Sequence, residues 1–469
     1  VPQDSEALTP TWWVKRLDKA RRERNKRLKT YDKYYRGDHP LLFATEKFLE
    51  AFGGLFGEFA DNWCDLVVDA VEERLNVEGF RYRAPGQRRS RRENNDNDAW
   101  GIWQANNLDS ESQMAHTEAI LKEEAYTLTW YGDDGEPVIT VEDPIQVIVE
   151  CEPGNRRRRA AALKVWQDDW TSTEMATLYL PDKLYKFQRR SAAGGFSAGG
   201  AWEPRKGTDF EVDNPLGVVP VVPLVNRPRL LVAGQSEIVK VIPIQDAVNK
   251  LVTDMIVSSE YGAYRQRWAT GMDIPVDPVT NQPIEDLKSA ASRLWRAEDE
   301  NTKFGEFEAT DLRNFVVAIE MLVQHIASQT RTPPHYFYLK GEFPSGESIK
   351  SAETGLVAKA RRKTRSFGEG WEETMRLAFK VKGDPRANVT DGETIWADLE
   401  SRSESEHADA QVKKKDLGVP WEQSMEDLGY SPQQIERMKA MRTEDAALGL
   451  TPRPEVPPTG TPSADTADE

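Results

Sequence analysis

Cysteine is almost missing from this chain: two among 469 residues, Cys64 and Cys151. They fall in segments that read as a helix and a strand, with no metal-type spacing. That argues against a disulfide framework and fits a reducing compartment. Histidine is scarce too. His39, His116, His325, His335 and His407 are scattered. None has a second ligand at helical or hairpin spacing, so they read as surface or interface groups and not as a metal site. No apolar run approaches the ~20 residues that cross a bilayer. The first residues, VPQDSEALTPTWW, lack the basic-then-apolar order of a secretory signal. There is no phosphate-binding glycine loop, no G-x-S-x-G and no H-E-x-x-H, and no long-period repeat. No cofactor, metal, membrane or catalytic group is expected.

What the chain holds in quantity is charge. Charged residues make up 30% against 38% hydrophobic, and the net charge is −16, with mean hydropathy −0.66 and pI about 5.1. The length suits about three modules and a sizeable core. An acidic balance argues against simple wrapping of nucleic acid, where a basic surface is the usual footprint. The charge is uneven, however. The segment KRLDKARRERNKRLKTYDKYYR is strongly basic, and the chain from Asp391 on sums to about −10. Arg88-Arg89, Arg91-Arg92 and Arg156 to Arg159 read as solvated runs or as partners of acids between subunits. Asp143, Glu150 and Glu152, with Lys164 across the presumed turn, are the one arrangement similar to a metal-dependent nuclease. Gly154 stands two residues after Glu152, and the group reads better as a solvated hairpin edge.

Periodicity predicts helices over 10–35, 57–79 and 99–131. Strands follow from EPVITVEDP to VWQDDW, and TLYLPDKLYKFQRR is a hairpin turning at Pro181-Asp182. SAAGGFSAGG is a flexible loop, and NPLGVVPVVPLVNRPRL is extended. Ser236 is a candidate cap for a helix opening at SEIVKVIP, and the pattern runs on from Pro243. There Val248, Leu251, Val252, Met255, Ile256 and Ser259 share a face. After a compact insert, a second helix from Asp311 to Thr330 repeats Leu312, Phe315, Val316, Ile319, Leu322, Val323 and Ile326. A third runs from Gly346 to Phe379, with Gly355, Gly368 and Gly370 as candidate bends. A capping box of Ser403 with Glu406 and a cap at Ser431 before Pro432 mark a helical end. Residues 450–469 read as disordered. The two apolar stripes lack local cover, which makes self-association a serious option. Between the second and third helices, RTPPHYFYLKGEFPSGESIKS is an aromatic, lysine-tipped loop bounded by breakers.

The chain resembles the portal proteins of tailed bacteriophages, of the type found in long-tailed phages of actinobacterial hosts. The likeness rests on NWCDLVVDAVEERLNVEGFR, VEDPIQVIVECEPG with AALKVW, NPLGVVPVVPLVNRP, SEIVKVIPIQDAVNKLVTDMIVSSEYGAYRQRWATG, the aromatic loop and GLVAKARRKTRSFGEGWEETMRLAF, in that order. It implies an α+β, predominantly α-helical fold with wing, stem, clip and crown around an axial channel. Residues 1–230 would be the wing, 231–268 and 311–331 the stem helices, and 269–310 the clip. The tunnel loop would be 332–345, the long wing or channel helix 346–380, the crown 381–449 and a disordered tail 450–469. The resemblance implies a ring, usually of twelve copies, at one capsid vertex of the virion, assembled in the host cytoplasm. Double-stranded DNA, met without sequence preference, passes through it. The terminase large subunit, the major capsid and scaffolding proteins and a head-tail adaptor are its partners. It implies no enzymatic activity. His335, Tyr336, Phe337, Tyr338, Lys340, Phe343 and Lys350 would belong to the channel loop. Arg293, Trp295, Arg296, Glu298 and Asp299 would dock partners at the clip. Leu251, Met255, Phe315, Ile319, Leu322 and Ile326 would pack the oligomer. A metal-dependent nucleic-acid enzyme and a helical scaffold without a channel are the competing classes.

Overall fold

The computed structural model describes residues 8–40, 61–82, 96–190, 200–230, 234–263, 267–271, 301–307, 311–337, 346–400, 418–426, 428, 430 and 432–448. Helix α1 (Pro10–Tyr35) opens as its sequence dictates. The Thr9 side chain accepts the Trp12 amide, and Pro10 takes the first position, where a missing N–H is harmless. Its apolar face is divided. Val14 and Leu17 pack into a sheet core with Ala161, Leu163, Ala176 and Phe187. Leu28, Tyr31 and Tyr34 enter the main core.

The main core is built from α2 (Cys64–Glu72), α3 (Asn97–Ala105), α4 (Leu108–Lys122) and the 36-residue α7 (Gly346–Val381). At 1.5 Å per residue α7 is ~54 Å long. Trp371 of α7 stands edge-on to Trp103 at 4.9 Å, and Trp103 is tilted against Phe80 at 5.3 Å. Two larger antiparallel sheets complete the body: one packs on this core through Ala125, Ile139 and Leu224, and the other builds separate cores with α1 and with the first sheet. Strands β10 (Val221–Val225), β2 (Glu124–Tyr131) and β3 (Pro137–Glu142) form one, in that order. The other runs β4 (Val147–Glu152), β5 (Asn155–Asp168), β6 (Thr173–Tyr179), β7 (Lys183–Arg190) and β8 (Glu203–Pro204), with β9 (Glu211–Asp213) also paired to β7. A two-stranded sheet joins β1 (Val77–Arg81) to β13 (Glu393–Trp396), more than 300 residues on. The segment after 381 is thereby bonded to the region before 230. Helices α8 (Trp421–Glu426) and α9 (Pro432–Ala447) end the described chain.

Three helical expectations are corrected. The helix expected over 57–79 covers Cys64–Glu72, and Val77–Arg81 is a strand because it pairs with β13. The helix expected over 99–131 breaks at Asn107 (φ 52) and again at Glu123 (φ 77). From Glu124 the β-branched and aromatic run AYTLTWY forms the central strand of its sheet, hydrogen-bonded on both edges. The segment after Ser236 is a run of turns. The Ser236 hydroxyl accepts the Ile238 amide, and the helix starts at Ile242. The glycines of α7 leave it continuous. Gly370 instead lets it lie against β10, since a Cβ there would sit 2.4 Å from Leu224 Cδ2. Among the described residues no helix is long and apolar enough to cross a membrane.

Candidate functional site

Helices α5 (Ile242–Ala263) and α6 (Arg313–Thr330) pack together. Their buried residues lie at one end only. Val248, Asn249, Val252 and Thr253 are the last buried positions described on α5, and Val323, Ile326, Ala327 and Thr330 are those on α6. Beyond them none of the described residues of either helix is buried, so the pair leaves the body as a stalk. The stalk carries a ribbon at its far end. There β11 (Arg267–Thr270) pairs with β12 (Lys303–Glu306), Arg267 facing Glu306 and Thr270 facing Lys303. The ribbon closes the base of the segment between residues 271 and 301.

Of the expected packing residues, Ile326 is fully buried in the chain's own core, and Ile319 and Leu322 pack partly against it. Leu251, Met255 and Phe315 are half-buried. That stripe is largely covered within the chain. The apolar surface left open on α6 is Val316 of the stripe itself, 45% exposed, with its neighbours Val317 and Met321, 63% and 50% exposed. Trp268, Phe304 and Phe307 on the ribbon are exposed as well.

The root of the stalk is bolted to α7 by one buried carboxylate. Glu237, at the start of the segment that leads into α5, accepts Lys363 Nζ at 2.5 Å and Lys359 Nζ at 3.0 Å, with Arg227 at 3.6 Å. Lys363 also donates to Asn226, and Lys359 to the Thr330 carbonyl at the last turn of α6. One cluster therefore touches the lead-in to α5, the end of α6 and the middle of α7. Burial pushes the Glu237 carboxyl up, but the two lysines outweigh it and hold it at about 2. Burial brings Lys363 down to about 8 against the pull of Glu237.

After Thr330 the backbone turns through Arg331 (φ 59), and Pro334–Tyr336 forms a 3-10 turn. Phe337 is buried, 5.4 Å from the Trp63 ring. The Tyr336 hydroxyl accepts Arg74, which also pairs with Glu353 at 3.1 Å, and His335 lies 3.6 Å from Glu353. Phe337 is engaged by the chain's own core and is not available to a neighbouring loop. Beside it Val323, Ala327, Pro333 and Gly355 line a cavity of about 300 Å³. Lys350 is exposed in the first turns of α7. Tyr338, Lys340, Phe343, Arg293, Trp295, Arg296, Glu298 and Asp299 lie outside the described residues, as do Arg88-Arg89, Arg91-Arg92, Ser403, Glu406 and residues 450–469.

The basic first helix has a structural use that sequence reasoning missed, because the partners are distant in the chain. Arg16 pairs with Glu150, Arg24 with Glu124 and Arg27 with Glu123. Arg21, Asp18, Glu174 and Arg189 form a buried network, and Arg189 lies 3.8 Å over the Trp202 ring. The acids that resembled a nuclease set are each in an ion pair: Asp143 with Lys122, Glu150 with Arg16 and Glu152 with Arg158, while Lys164 pairs with Glu142. His116 is not at the surface. It is fully buried, accepts Trp371 Nε1 at 2.9 Å and stacks on Phe367, and burial drives it to about 3, so it is neutral.

Comparison with known proteins bears on this arrangement directly. Residues 14–447 match the family described as phage portal protein, SPP1 Gp6-like. Portal proteins of Mycobacterium phage D29 and Mycobacterium phage L5 are each 33% identical over 406 residues, covering 82% of this chain and 79% of theirs. The match takes in the body, the stalk and the long helix together, and the chain belongs to the SPP1 Gp6-like family of phage portal proteins.

Proposed function

We propose that copies of this chain close into a ring, twelve in the usual portal arrangement, at one vertex of the virion capsid. Double-stranded DNA enters and leaves through its axis. The stalk forms the wall of the channel. The segment beyond the β11–β12 ribbon carries the docking surface for the terminase and later for the head-tail adaptor, with Trp295 as anchor and Arg293, Arg296, Glu298 and Asp299 as its rim. Capsid and scaffolding proteins surround the body. Residues 338–345 supply the channel loop, where Lys340 meets phosphate without reading sequence. The net charge of −16 per copy keeps a polyanion from sticking. The protein acts as a structural conduit with no catalytic step of its own.

The observation that carries this reading is the second apolar face of α6. Val316, Val317 and Met321 stand in water on a stalk that has already covered most of its first stripe. A neighbouring copy is the occupant that buries this face once per subunit. Val317→Asp removes about 100 Å² of apolar surface from each contact, about 2.5 kcal/mol at 25 cal/mol per Å², and adds the cost of desolvating a charge. Mass photometry should show assembly weakened by at least two orders of magnitude in concentration. Normal assembly of this variant would remove α6 from the subunit interface.

A further inference from the structure

Trp170 is 98% exposed, the most exposed large apolar side chain among the described residues. It sits in the turn between β5 and β6, and the turn is stiff. The Asp168 carboxylate accepts the Trp170 amide at 3.0 Å and the Thr171 hydroxyl at 2.7 Å, and the Thr173 hydroxyl donates to the Thr171 carbonyl at 3.0 Å. An aromatic side chain buries roughly 150–250 Å² when it finds a partner. Here a pre-shaped turn holds one in water, flanked by Asp168 and the exposed Asp169.

The other end of the same strand carries the opposite charge. Arg156, Arg157 and Arg158 are exposed at the β4–β5 turn. Arg158 pairs with Glu152 at 3.0 Å. The side chains of Arg156 and Arg157 have no partner among the described residues. The 14 residues of β5 hold the two ends about 40 Å apart at ~3.3 Å per residue. In a ring of identical copies each contact is head-to-tail, so every subunit must present two different, complementary patches. Guanidinium groups suit both features of the acidic end: they stack on an indole face and pair with carboxylates. The same sheet already uses the first of these contacts internally, with Arg189 over Trp202 and Arg205 4.9 Å over Trp166.

We propose that the Trp170 turn of one copy docks on the arginine-bearing β4–β5 turn of its neighbour, so that the two ends of β5 form the two halves of one repeated contact. This rests on the ring reading above and adds a second contact, separate from the α6 face. The test is mass photometry of the full chain over a concentration series, for wild type, Trp170→Ala, Asp169→Arg, Arg157→Asp and the Asp169→Arg/Arg157→Asp pair. All these positions are exposed, and an unchanged thermal midpoint of the free subunit confirms that each variant folds. Trp170→Ala raises the concentration for half-assembly at least tenfold. Each single charge reversal does the same, more strongly at low salt, and the double reversal restores most of the loss. Trp170→Ala assembling at the wild-type concentration overturns the inference. So does a variant that assembles normally yet fails to enter capsid shells, which assigns the indole to a shell protein. A wild-type chain that stays monomeric throughout overturns the ring reading itself, a result distinct from either.

Discussion

Glu237→Ala takes one carboxylate from the root of the stalk and leaves Lys359 and Lys363 facing each other without it. Lys363 and Glu237 are each 3% exposed and Lys359 is 11% exposed, so water does not replace the lost partner. Breaking a buried pair from one side costs about 3–5 kcal/mol. At 1.36 kcal/mol per tenfold, about 4 kcal/mol is roughly a thousandfold. The cluster joins the lead-in to α5, the Thr330 carbonyl and α7, so the loss should appear there and not throughout the molecule. Hydrogen exchange at pH 7 should show protection around 234–245 and 326–332 falling by two to three orders of magnitude, with β5–β7 unchanged. A pH signature goes with it. The folded Glu237 sits at about 2, below its ordinary 4.5. Its contribution is therefore complete above pH 4.5 and lost as pH falls toward 2. In Glu237→Ala that acid limb disappears. The two lysines, already below their ordinary value, fall further without the carboxylate. The unfolded chain then binds more protons than the folded one up to about pH 10.5, and the variant should regain thermal stability as pH rises from 7 to 10. Protection at the root within threefold of wild type, or a deficit independent of pH, would refute the reasoning.

Two glycines of α7 should respond with opposite signs. Gly370→Ala drives a methyl to 2.4 Å from buried Leu224 and 3.3 Å from the Pro223 carbonyl and should lower stability in urea melts by about 1–3 kcal/mol. Gly368→Ala meets nothing closer than 3.5 Å and should gain up to about 1 kcal/mol from helix propensity. Burial raises the Glu372 carboxyl to about 7. What it contributes is present below pH 4.5 and lost as pH rises through 7, so Glu372→Gln should flatten the stability curve between pH 5 and 8. The group is partly open to solvent, and the gain at pH 8 is about 1 kcal/mol after screening. In virions, Lys340→Glu should leave assembly intact and change DNA retention more at low salt than at high. Failed assembly would make that segment a structural connector.

Much of the helical frame was legible locally. The Thr9 cap and Pro10 fix the start of α1, the apolar repeat fixes α6 to within two residues, and α7 runs over the span that its pattern marks. The misreadings share a cause. AYTLTWY and VEGFR have apolar residues that fit a helical continuation, and only pairing with β3, β10 and β13, up to hundreds of residues away, makes them strands. The sequence shows α1 as a strongly basic segment and hides the partners of its arginines for the same reason. Their acids lie about a hundred residues on, at positions 123, 124 and 150. The stripe on α6 shows in its period, but Val317 and Met321 beside it carry no periodic signal of their own. A second apolar face has no meaning until the first is seen to be covered.

The most direct test is a cryo-EM reconstruction of the assembled full-length chain. The expected result is a closed, rotationally symmetric ring with an open axial channel, about 640 kDa for twelve subunits of 53.1 kDa, with Val316, Val317 and Met321 of α6 buried between neighbours. Monomers, open filaments, or a ring whose α6 face points into solvent would contradict it.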